Sequence, residues 1–276
     1  MARRVETIRS YSAPVKLSGL FIYPIKACAG VALERAAVVE RGLDADRRYM
    51  IVDRNGRFVT QRELPRLCLV HTSLDGERLA ISAPGMGSLS LPRALDAGER
   101  VPFQVWSSHG SALRHAEGSS WFSELLGDEM QLVYMPDDER RAVNPARARP
   151  GDLVSFADAY PLLLISEESL ADLNARLDEP LEMRRFRPNL VIAGAQPYGE
   201  DRMTSLRIGS VSFRGVKRCD RCSVTTVNPE TGQRGKEPLR TLAQYRLEDG
   251  KVWFGMNLIH DHQGQLTVGD LVVSEP

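Results

Sequence analysis

The chain has 276 residues, 42% of them hydrophobic, enough for one large or two ordinary domains that each bury a core. Lys plus Arg number 36 and Asp plus Glu number 36, so no overall field draws the chain to nucleic acid or to an anionic membrane, and any anion has to be held locally. Four cysteines, at 28, 68, 219 and 222, are too few for a secreted disulfide framework, and no window approaches a transmembrane length of about 18 apolar residues, so a cytoplasmic protein without a transmembrane segment is expected.

The start, MARRVETIRSYSAPVK, lacks the apolar stretch of a signal peptide; its Arg and Ser content allows a transit peptide, against which Glu6 and its brevity count. From Val15 to Leu91, short apolar runs alternate with turns: KLSGLFIYPIK, VALERAAVVERG, RRYMIVDRNGRFVTQ and LCLVHTSLDGERLAISAPG. Asn55-Gly56 and Asp75-Gly76 are strong hairpin signals, and the segment reads as antiparallel sheet. A Pro- and Gly-bearing loop follows near residues 91–99. VPFQVW then resumes as strand, and SSWFSELLG predicts a short serine-capped helix. Residues 137–152 carry charge and prolines but no periodicity, and predict a long loop. SEESLADLNARLDEP predicts a helix capped by Ser166, with Leu170, Leu173 and Leu177 at helical spacing. NLVIAGA, SLRIGSVSFRGVKRC, CSVTTV and QLTVGDLVVS return to strand, and the helices that a thioredoxin or Rossmann fold needs between parallel strands are missing.

Cys219-x-x-Cys222 supplies half a tetrahedral zinc site, but Cys28 and Cys68 have no spacing that would complete it. A dithiol oxidoreductase would start a helix at the first cysteine to lower its pKa, whereas SVTTV favours a strand. Two buried thiols are the plain alternative, yet Lys217, Arg218 and Arg221 beside them suit a thiolate facing an anionic cofactor.

FIYPIKACAG, RRYMIVDRNGRFVTQRELPRL, SEESLADLNARL, RFRPNLVI and above all RCDRCSVTTVNPETGQRGKEPLRTLAQYR follow one another in an order that resembles the MOSC family with its N-terminal β-barrel partner domain, most closely the family's amidoxime-reducing branch. The match runs from about Leu17 to Val273. It implies an α+β, mainly β fold of two β-barrel-like domains with a few short helices, residues 1–95 and 96–276. It also implies a molybdenum cofactor, a molybdenum–molybdopterin dithiolene bearing a phosphate, held in a cleft between the domains. Cys222 is then the thiolate ligand to the metal, a soft donor for a metal already bound through sulfur, and Cys219 a packed neighbour.

By the same resemblance the cofactor's anchors are Lys26 in YPIK, Arg48 in RRYM, and Arg187 and Asn189 in FRPN. Arg47 and Arg48 are consecutive on a strand, so one faces solvent, and the family match selects Arg48. Asp158 in SFADAYPLLL stands near the metal as a second catalytic residue able to relay protons, with an ordinary turn role still open. Asn257 in FGMN binds substrate or merely ends a strand. Ala27 and the Ala159-Tyr160 pair depart from the family's hydroxyl residues at those places.

The implied activity is removal of oxygen from N-hydroxylated small molecules: amidoximes, hydroxylamines or N-hydroxylated bases. Some relatives carry a ferredoxin with a C-x4-C-x2-C run after the MOSC part. None precedes Pro276 here, so a separate donor, a flavin reductase, ferredoxin or cytochrome, is expected. Two rivals remain. One is a cofactor carrier or sulfur-transfer protein, since MOSC domains are also attached to cofactor sulfurases; no pyridoxal-phosphate domain is read here, and pyridoxal phosphate binding attaches to the chain only as a domain-level term. The other is a two-domain protein that holds a different anion, with the Cys pair inert.

Overall fold

The structure is a computed structural model that describes residues 14–274; the signal- and transit-peptide readings of the first residues lie outside them. The fold is mainly β, with few and short helices.

Apolar patterning explains where the strands lie. In Tyr49–Asp53 an unbroken apolar run is buried on both faces. Tyr49 and Ile51 enter a core with Leu79, Trp121 and Phe122, while Met50 and Val52 enter another with Phe103, Val105 and Phe156. This strand pairs antiparallel with Met130–Tyr134, and the sheet continues through Ser108–His115 to Arg100–Val105. Both expected hairpin turns form, with Gly56 at φ +77° and Gly76 at φ +55°. The second joins His71–Asp75 to Arg78–Ser82.

The largest sheet runs in the order Val272–Ser274, Ser205–Ile208, Val211–Asp220, Lys251–His260, Leu162–Ser166, Leu190–Ala193, Lys16–Ile22, Val31–Leu33. Pairing therefore runs between the first and last parts of the sequence. Leu162–Ser166 and Leu190–Ala193 are parallel, and the other pairs in that order are antiparallel. Leu17, Leu20, Leu164, Leu190, Phe213 and Leu258 fill its core.

The helix α1, Ala116–Leu126, starts earlier than the serines suggest. His115 caps it, Nδ1 accepting from the Gly118 N–H at 3.0 Å. Ser119 and Ser120 instead turn their hydroxyls back onto the carbonyls of His115 and Ala116, as helix-interior serines do. The helix α2, Glu167–Asn174, is capped as expected by Ser166, which accepts from Ser169 N–H at 3.1 Å, and it buries Leu173. It lies in the connection between the two parallel strands. Residues 137–152 form the expected loop, carrying only an isolated bridge between Ala142 and Leu153.

SVTTV is a correction. Ser223–Thr226 is a 3-10 turn, because Thr225 and Thr226 donate their hydroxyls to the carbonyls of Cys222 (2.9 Å) and Ser223 (2.8 Å), a local bond that competes with extension. The β-branched residues that favour a strand are used here as a clasp just after Cys222.

Candidate functional site

A cleft of about 470 Å³ gathers side chains from eight stretches of chain, among them Lys26, Arg47, Asp158, Arg187, Cys222 and Asn257. Six basic side chains (Lys26, Arg47, Arg62, Arg187, Lys217 and Arg221) line it against two acidic ones, Asp158 and Asp220. A chain with no net charge has thus concentrated cations in one place, which suits an anionic ligand.

Two bulges deliver the thiols. The Val211–Asp220 strand loses register with Lys251–His260 between Gly215 and Lys217 and again between Arg218 and Asp220, re-aiming the end of the strand. Lys217, Cys219 and Asp220 thereby all reach the cleft. Cys222 follows and is exposed, while Cys219 is half-buried with its Sγ 3.0 Å from Arg221. Burial pushes the Cys219 thiol up, against the pull of Arg221, so it is a protonated neighbour at neutral pH. Cys28 and Cys68 are buried, and burial pushes Cys28 up to about 12. Among the described residues no group of three or more His, Cys, Asp or Glu side chains comes together to hold a metal by itself, and the four cysteines do not form a zinc site.

Asp158 sits between cations. Lys26 ion-pairs with its Oδ1, and an Arg62 guanidinium nitrogen lies 3.2 Å from Oδ2 and 3.6 Å from Cys222 Sγ. Burial favours the neutral acid, but Lys26, then Arg62 and Arg47, outweigh it and hold the carboxyl well below the usual carboxylate range. Burial also pulls Lys26 down to about 8, with Asp158 opposing. The loop that carries Asp158 is fixed by the buried Arg141, which donates to the carbonyls of Ser155, Ala157 and Asp158.

Arg187 takes a left-handed φ of +58° between the Met183–Phe186 turn and Pro188, and donates to Cys28 O at 2.6 Å. Its guanidinium lies 4.1 Å over the Tyr23 ring, and that of Arg47 lies 4.6 Å over the same ring. Asn189 is buried and its amide is spent on scaffold: it donates to Phe21 O and accepts from Leu163 N–H and from Arg47. Asn257 lines the cleft and donates to Lys217 O at 3.1 Å.

Arg48 is the expected site residue that the structure does not bring here. Just ahead of the Tyr49–Asp53 strand, it turns away from the cleft, donates to Met135 O, pairs with Asp137 and lies over Tyr134. Arg47, at φ +49°, takes the place in the cleft. The expectation that both arginines lie on a strand is corrected: the strand begins at Tyr49, Arg47 belongs to the turn before it, and its left-handed backbone turns the Arg47 side chain into the cleft.

Sequence reasoning also passed over Arg62, Trp106 and Arg141. Arg62 lies in QRELPRL, one of the resembling stretches; Trp106 and Arg141 carry no sequence signal. A structural signal does exist: of seven non-glycine residues with positive φ among the described residues, four (Ala27, Arg47, Trp106 and Arg187) line this cleft. Strained backbone is retained where surroundings enforce it, and it clusters at functional sites.

Fold and cleft together define a mainly β protein with an open thiol in a cationic site. The family model for the MOSC N-terminal beta barrel domain matches residues 14–129, and that for the MOSC domain matches residues 152–273. The chain is 34% identical over 274 residues to mitochondrial amidoxime-reducing component 1 of Homo sapiens, covering 92% of this chain and 81% of that protein. It is 34% identical over 272 residues to molybdenum cofactor sulfurase of Oryza sativa subsp. japonica, covering 90% of this chain and 33% of that protein. Among solved structures, YUAD protein from Bacillus subtilis aligns with 94% of both chains at 11% identity and a TM-score of 0.44. The chain belongs to the MOSC family. No helix among the described residues is long and apolar enough to cross a membrane.

Proposed function

We propose that the chain is a molybdenum-cofactor-dependent reductase of N-hydroxylated compounds, drawing electrons from a separate donor protein. The observation that carries this reading is the exposed Cys222 thiol in a cleft whose lining is six cations to two anions. The similarity to amidoxime-reducing components supports it.

The residues fit such a group. One soft thiolate suffices for a metal that brings its other sulfur ligands with it. Lys26, Arg47, Arg187 and Arg221 are placed to meet a phosphate and pterin heteroatoms, and Arg221 Nε is buried with no partner. When bound, the cofactor supplies the two-electron chemistry of oxygen removal. Overall an N–O bond breaks, and two electrons and two protons yield the N–H product and water.

The chain's own part is to bind, orient and handle protons. Arg62 ties the carboxylate of Asp158 to the thiol of Cys222. Asp158 is held ionised by its cations, which makes it a weak proton acceptor whose part is to orient Lys26 and Arg62 beside the thiol. Lys26, buried against it, holds the exchangeable proton. Arg141 keeps Asp158 in place.

A second reading, cofactor carriage or sulfur transfer, is favoured by the likeness to molybdenum cofactor sulfurase. Elemental analysis of protein from a host that makes the pterin cofactor, with benzamidoxime reduction by artificially reduced protein, separates the two. Near-equimolar molybdenum with turnover is expected; molybdenum without turnover would establish the carrier instead.

A further inference from the structure

The wall of the cleft holds a large side chain that nothing above uses. Trp106 lines the same cleft as Cys222 and is 50% exposed, the bulkiest of the exposed hydrophobic side chains. It stands at the first position of a two-residue turn between Arg100–Val105 and Ser108–His115, with φ +54°. Such a position in a tight hairpin takes glycine by preference. An indole there is disfavoured for the turn, and backbone strain of this kind clusters at functional sites, which points to a use for the ring.

The ring is also braced. Phe58 meets it at 5.2 Å and an interplanar angle of 60°, and the Arg62 guanidinium lies 4.8 Å from its centroid. The same guanidinium reaches Cys222 Sγ at 3.6 Å and Asp158 Oδ2 at 3.2 Å. A single planar cation therefore separates the indole from the thiol and the carboxylate. Tyr160, half-buried against the cluster of Val143, Val154, Ala157 and Ile259, and Phe186 add two further aromatic rings to the lining.

We propose that Trp106 is a stacking platform that makes the site select flat, aromatic N-hydroxylated substrates over aliphatic ones with the same polar head. Stacking on a fixed indole rewards a planar ring and gives nothing to a methyl group of equal polarity. The polar head then falls among Arg62, Asp158 and Cys222. The inference rests on the reductase reading for its substrate class, but binding tests it without turnover.

The test is calorimetric binding of benzamidoxime and acetamidoxime to oxidised holoprotein with no electron donor, in wild type, Trp106→Phe, Trp106→Ala and Trp106→Gly. Wild type should prefer benzamidoxime on the order of tenfold, from the added strength of an aromatic pair. Trp106→Phe should keep most of that preference and Trp106→Ala lose it. Trp106→Gly should also lose it while matching or exceeding wild type in thermal midpoint, since glycine suits the turn. With turnover, KM for benzamidoxime should rise in Trp106→Ala while kcat holds. An unchanged preference in Trp106→Ala and Trp106→Gly, or no preference in wild type, would overturn the platform. If the preference behaves as stated yet neither compound is reduced, the reductase reading falls and the platform stands.

Discussion

Replacing Arg141 by Met asks whether a single buried guanidinium holds the loop that carries Asp158. Arg141 is 7% exposed and donates to the carbonyls of Ser155 and Ala157, each at 2.6 Å, and to that of Asp158 at 3.2 Å. Hydrogen bonds from a charged donor contribute about 1.5–3 kcal/mol each, so three of them amount to about 5–9 kcal/mol. Against this, Met removes a charge that burial disfavours: the guanidinium is pulled from its ordinary 12.5 down to about 10, with Asp158 partly opposing. At about 1.4 kcal/mol per tenfold, relief of that burden returns about 3 kcal/mol. The difference is a net loss of about 2–6 kcal/mol, with the aliphatic stem retained. Urea unfolding followed by tryptophan fluorescence should show a lower midpoint at unchanged slope, and turnover of the remaining folded protein should fall because Asp158 is no longer fixed. A stability change under about 1 kcal/mol together with wild-type turnover would refute the argument.

The two neighbouring arginines offer a sharper contrast. Arg47→Ala should strip most molybdenum from the purified protein, whereas Arg48→Ala, which loses Met135 and Asp137 outside the cleft, should retain it; metal content per protein reads both. Lys26→Met should flatten the acid limb of stability. The Asp158 carboxyl is held below its unfolded value of 3.8, so its ion pairs stabilise above that pH and are lost as pH falls beneath it. Without Lys26 less is lost, and acid unfolding curves of wild type and variant should converge below about pH 4. A variant curve parallel to wild type there would contradict the pairing.

Much of the strand framework is legible in local patterning. Asn55-Gly56 and Asp75-Gly76 announce their turns, Ser166 announces α2, and the two-faced burial of Tyr49–Asp53 follows from its unbroken apolar run. What resists reading is set by distant contacts. Which of Arg47 and Arg48 enters the cleft depends on a backbone turn, not on residue type. Arg62 meets Cys222 across 160 residues of sequence, and no spacing rule spans that distance. SVTTV misleads because β-branching speaks for a strand while the Thr hydroxyls, given nearby carbonyls, make a turn. At the site, Lys26, Asp158, Arg187, Asn189, Cys222 and Asn257 converge on one cleft, although Asn189 spends its amide bracing strands and Arg47.

The central claim is that Cys222 makes this cleft a molybdenum site. Cys222→Ser changes one exposed atom on a short turn, so the fold should persist by circular dichroism and thermal midpoint. The measurement is molybdenum content and benzamidoxime turnover in wild type and Cys222→Ser, prepared side by side in a cofactor-producing host. The account predicts near-equimolar molybdenum and turnover in wild type, and a folded variant that no longer reduces the substrate. A Cys222→Ser protein with wild-type turnover would contradict it.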